Sequence, residues 1–160
     1  MRFEISKNAQ NFFGNIISLE GAYSTGGKNK FGFDTQFDVY YCCALVGMAA
    51  SKRDDDTSEL NQLTEKYPKS YSDCKAQIAG LLVASEAKRL GVDNAKIEEL
   101  MLNYLSNNDT MLSDEGIKAL NAYSLKGYYL MREYVLLEKP TSREEFLEAF
   151  FATIKYVGEN

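Results

Sequence analysis

The sequence predicts an all-α protein, a single-domain bundle of about six helices over residues 1–160, and three observations predict it. Apolar residues recur at three- and four-residue steps over most of the chain. The only two prolines, Pro68 and Pro140, fall where that periodicity breaks. The 160 residues are 45% hydrophobic and 26% charged, a globular mixture long enough to bury a core without disulfide or metal staples.

The elements follow in order. Arg2–Ser6 alternates Phe3 and Ile5 with polar residues, the pattern of a short strand or an extended N-terminal arm. Ser6 can cap a first helix reaching about Ile17, with Phe12, Phe13, Ile16 and Ile17 on its apolar side. Residues 21–33 hold Gly21, Gly26, Gly27 and Gly32 among Ser, Asn and Lys, the composition of a flexible loop. Thr35, with Asp38 three residues on, begins a helix striped by Phe37, Tyr40, Tyr41, Ala44, Leu45 and Met48. Its small residues, Gly47 among them, let a neighbour approach closely, and Lys52 and Arg53 suit its negative end. Residues 52–58, with Asp54–Asp56, form an acidic loop. Glu59–Tyr67 reads as a short helical turn stopped by Pro68.

Ser72 or Asp73 opens a helix to about Leu90, which Gly91 ends in a left-handed conformation. Asp93 caps a short helix containing Ile97, Leu100, Met101, Tyr104 and Leu105, and Asn107–Asp109 make a turn. Ser113 or Asp114 starts the longest helix, to about Glu138, apolar on more than one side and so central. Thr141 with Glu144 forms a capping box for the last helix, and Gly158 is its stop.

The chemistry the composition excludes is as informative. Histidine is absent, so the usual general base and commonest metal ligand are missing. A net charge of -5 disfavours a basic nucleic-acid module. The chain opens on no signal-peptide pattern, and the apolar run Val39–Ala50 is too short to cross a bilayer. A soluble, cytoplasmic protein is expected. Cys42, Cys43 and Cys74 have neither CxxC spacing nor an even count and read as packing residues.

Short motifs dissolve on inspection. Gly21 to Gly27 leaves five intervening residues where a phosphate loop needs four, and Asn29 stands where it needs Ser or Thr. Ser72-x-x-Lys75 and Ser85-x-x-Lys88 lack the companion elements of acyl-enzyme chemistry, so Ser85 reads as a hydroxyl bonded to a carbonyl one turn back. Counted from Asp54, a calcium loop would need glycine where Glu59 stands. No cofactor is expected.

What remains is surface. Tyr and Phe are numerous, and Phe37, Tyr40, Tyr41, Tyr128, Tyr129 and Arg132 combine the residue types that protein interfaces enrich. Lys28, Lys30, Lys52 and Arg53 are the basic residues that two loops could bring to nucleic acid.

Phe33–Met48 followed by Lys52-Arg53 resembles the signature helix of small helical proteins associated with Dnd loci, which carry DNA phosphorothioate modification and its linked restriction. Ala119–Met131 resembles that family's later helix, departing from it at Ser124, Leu125, Lys126 and Gly127, and Phe3–Lys7 resembles its arm-then-helix opening. The resemblance implies bacterial defence and supplies no catalytic residues. The expectation is a non-catalytic accessory or adaptor subunit of a DNA-modification or anti-phage system, acting on a protein partner, a larger complex or a second copy of itself. The alternative is a module that binds DNA through the basic loops or mimics it with acidic surface. Least supported is an enzyme, and no membrane role is expected.

Overall fold

A computed structural model describes residues 1–17 and 32–160; the glycine-rich stretch, with Lys28 and Lys30, lies largely outside the described residues. Helices α2 (Gln36–Ala49) and α5 (Asp114–Tyr134) cross at its centre. Glycine makes that crossing close. A Cβ on Gly47 would sit 2.2 Å from the Tyr123 carbonyl oxygen, and one on Gly127 would sit 1.7 Å from that of Cys43. The thin face expected of α2 is thus used, and Ser124 Oγ donates to the Tyr40 carbonyl across the contact at 3.0 Å.

The chain is helical with one addition that the all-α expectation lacks. Strand β1 (Phe3–Ser6) pairs antiparallel with β2 (Leu60–Thr64), Ile5 opposite Asn61 and Ser6 opposite Leu60. The helical turn expected over Glu59–Tyr67 is therefore a strand. Its cause lies far off in sequence: β1 offers unpaired edge groups, and a strand there satisfies them. Asn121 of α5 fixes the sheet to the bundle. Its Oδ1 accepts from Glu4 N at 3.0 Å and from Tyr40 Oη at 2.7 Å, while its Nδ2 donates to the Arg2 carbonyl at 3.0 Å.

The remaining helices are α1 (Lys7–Phe12), α3 (Lys75–Leu90), α4 (Ile97–Tyr104) and α6 (Arg143–Glu159). Ser6 caps α1, but the helix stops at Phe12, short of Ile17, and the chain turns through Gly14 to keep Phe13 and Ile16 buried. Residues 69–74 form a 3-10 turn before α3, and Gly91 ends that helix at φ 65°. Asp93 opens a 3-10 turn, Asn94–Lys96, and its side chain makes no cap bond. Ser113 is the cap of α5, accepting from Gly116 N at 3.0 Å. That helix ends at Tyr134 rather than Glu138, because Leu136 turns inward to be buried. Ser142 with Glu145, one residue later than expected, starts α6; Thr141 N and Oγ1 donate to the same Glu145 carboxylate. Gly158 does not stop it, since the helix continues to Glu159.

Candidate interaction surface

The side chains with the most perturbed chemistry sit inside. Glu86 is completely buried on α3, on the face that also buries Ile78, Leu82 and Val83. Five donors surround its carboxylate. Oε2 accepts from Arg53 Nη1 (3.0 Å), Arg89 Nη2 (2.8 Å) and Tyr104 Oη (2.7 Å). Oε1 accepts from Arg89 Nε (2.9 Å) and Tyr123 Oη (2.6 Å). Burial pushes this carboxyl upward, but the hydrogen bonds from Arg89, Tyr123 and Tyr104 and the charge of Arg53 outweigh it and hold the group at about 2. With every oxygen engaged, Glu86 ties α3 to α4, α5 and the segment after α2; it is a joint, not a general base.

Other ionisable groups are similarly committed. Asp38 accepts from Thr35 N at 3.0 Å and from the Thr35 hydroxyl at 3.1 Å at the start of α2, where the hydroxyl was expected to accept from the backbone, and from Tyr71 Oη at 2.7 Å. Burial and the neighbouring Asp38 push the Cys42 thiol up to about 12, far from the reactive range. Cys43 is buried, and all three cysteines are free thiols. Ser85 Oγ donates to the Leu81 carbonyl at 2.7 Å, the one-turn-back bond expected of it. Asp54 and Asp56 accept backbone N–H bonds from Asp56 and Ser58, respectively. Among the described residues, no three His, Cys, Asp or Glu side chains gather as they would around a metal ion. No helix among them is long and apolar enough to cross a membrane.

The residues expected to form a contact surface are distributed differently. Phe37 and Tyr40 are buried against Phe3, and Tyr128 against Phe13, so these three are core residues and offer no surface. Tyr41 is half-buried against Phe37 and Tyr71. Tyr129 is exposed beside Tyr128, and the Arg132 guanidinium lies 3.9 Å from the centre of the Phe12 ring. The set is therefore split between two aromatic clusters rather than gathered on one face. Lys52 is exposed, but Arg53 is held by Glu86 and by Asp55, at 3.2 Å. Arg53 is thus occupied inside the fold.

Among the described residues, part of the exposed apolar surface lies in two grooves that the sequence alone does not reveal. One, of about 350 Å³, is bounded by α2, α3 and α6 and lined by Leu45, Met48, Leu81, Phe150, Phe151 and Ile154. Phe151 is 64% exposed and Leu81 43%. The second, about 490 Å³, runs along α4 and the loop after it, where Met101, Leu102, Leu105 and Met111 meet Glu98. A signal for the first was present: α6 carries Phe150 and Phe151 side by side, and adjacent residues on a helix point about 100° apart, so one of them faces out. A third cleft, near Arg2, Lys66 and Asp114, is lined mainly by polar residues.

A scan against protein-family models finds no match, and searches of the curated proteins and of the solved structures find none either.

Proposed function

We propose that this chain is a non-catalytic helical accessory module that acts by protein–protein contact, using the groove between α2, α3 and α6. The setting we propose is a bacterial DNA-modification or anti-phage system, following the resemblance of Phe33–Met48 and Ala119–Met131 to Dnd-associated proteins. The observation that supports the contact reading is the groove itself. Phe151 and Leu81 stand exposed over a floor of Leu45, Met48 and Ile154, so the apolar surface is contiguous rather than scattered. Fully burying one such side chain is worth about 1.5–3 kcal/mol, enough for a few of them to anchor an interface.

The test is quantitative affinity purification from the organism that encodes the chain, comparing wild type with Phe151→Asp and Leu81→Asp. Both positions are exposed, and unchanged far-ultraviolet circular dichroism is the check that each variant keeps the fold. One protein recovered with wild type should fall at least tenfold with each variant. Equal recovery with all three chains would contradict the proposal.

A further inference from the structure

Helices α5 and α6 meet near their C-terminal ends through a pair of tyrosines. Tyr134 is the last residue of α5, and Tyr156 lies in the final turn of α6. Ala149, Thr153 and Tyr156 follow one another at steps of four and three, so Tyr156 extends the side of α6 that buries the first two. There it meets Tyr134. The ring centroids are 4.4 Å apart at 35°, in van der Waals contact and the shortest separation among the described ring pairs.

Exposure and chemistry set this pair apart from the core aromatics. Both phenols reach solvent, Tyr134 at 41% exposure and Tyr156 at 44%. Other neighbouring tyrosines lack that combination. Tyr128 is buried, with its ring 5.2 Å from that of Tyr129. Tyr41 and Tyr71 meet edge-on at 88°, and the Tyr71 hydroxyl is held by Asp38. Tyr134 also has a proton acceptor at hand. The charge of Glu133, and beside it the Tyr156 hydroxyl, push the Tyr134 phenol above its ordinary value. A carboxylate so placed can take the phenol proton when the ring loses an electron.

We infer that Tyr134 and Tyr156 form a modification site, coupled by one-electron oxidation into a dityrosine that staples α5 to α6. The oxidant is hydrogen peroxide acting through a haem peroxidase. Each phenol gives up one electron and one proton and becomes a phenoxyl radical. The two radicals form one carbon–carbon bond between ring carbons ortho to the hydroxyls. The hydrogens on those carbons then move to the oxygens and restore both phenols. The peroxide O–O bond breaks, and the two electrons and two protons leave with its oxygens as two waters. Because the rings already touch, the bond forms while Met131 of α5 and Phe150 and Thr153 of α6 stay buried. The cysteines, all free thiols, supply no covalent tie between these helices.

The test treats the full chain, at high dilution, with a haem peroxidase and equimolar hydrogen peroxide, and maps the product by mass spectrometry. Trypsin cuts after Arg132, Arg143 and Lys155, so Tyr134 and Tyr156 fall in separate peptides that hold no other tyrosine. The expected product is those two peptides joined, two hydrogen atoms lighter than their sum, with blue dityrosine fluorescence from monomeric protein. Tyr134→Phe and Tyr156→Phe should each lower that fluorescence at least tenfold while the far-ultraviolet circular dichroism stays unchanged. Tyr129→Phe, exposed but outside the pair, should leave it as in wild type. Absence of the joined peptide, covalent dimers in its place, or fluorescence that survives Tyr156→Phe would overturn the inference.

Discussion

Glu86 shows how one buried charge can be made stable. Taken alone, a carboxylate at a site without solvent costs several kcal/mol, and here two guanidinium groups and two phenols offset it. Glu86→Gln keeps the shape but leaves Arg53 and Arg89 facing a neutral amide, so it should destabilise the fold by about 3 kcal/mol near neutral pH in urea denaturation. The sign of the pH dependence follows from the depressed carboxyl. Its folded value of about 2 lies below the ordinary 4.5, so its stabilisation is fully present above 4.5 and is lost as pH falls towards 2. The gap between wild type and Glu86→Gln should therefore narrow over that interval; a gap that stays constant would show that the charge does not matter. Little of this was legible in the sequence. Arg89, three residues on, is the local partner of Glu86, but the others lie at positions 53, 104 and 123, and only the fold brings them to a residue that looks like one more surface glutamate.

Helices and strands differ in how far local sequence determines them. The start of α2 was readable because Thr35 and Asp38 are a cap complete within four residues, and the end of α3 because Gly91 alone supplies the left-handed turn. The cap of α6 was misplaced by one residue, since Thr141 and Ser142 are adjacent hydroxyls and Glu145 serves both. Strand β2 was missed because its pairing groups come from β1, more than fifty residues away. Glycines separate the same two influences experimentally. Gly127→Ala places a methyl group against the Cys43 carbonyl and must push α2 from α5, at a cost of about 3 kcal/mol. Gly80→Ala, mid-helix in α3 with nothing within 4 Å, should instead stabilise by about 0.5–1 kcal/mol. Thermal unfolding of the two variants beside wild type checks both signs at once.

For the whole molecule, three of the aromatic residues expected at a contact surface, Phe37, Tyr40 and Tyr128, lie in the core instead. Phe, Tyr and Met serve cores and interfaces alike, and only the arrangement of neighbours decides which of them meets solvent. Phe37, Tyr40 and Tyr128 complete the interior, while Phe151, Leu81 and Leu102 stand outside it. The buried ionisable groups hold helices together, and the contact surface we propose is drawn from the exposed apolar groups. The most direct test places a photo-crosslinking amino acid at position 151 in the native organism, with an exposed control at position 118, on the outer side of α5. The account predicts one discrete adduct from position 151, absent from position 118 and lost when Leu81→Asp is added. Identical patterns from both positions, or an adduct indifferent to Leu81→Asp, would contradict it.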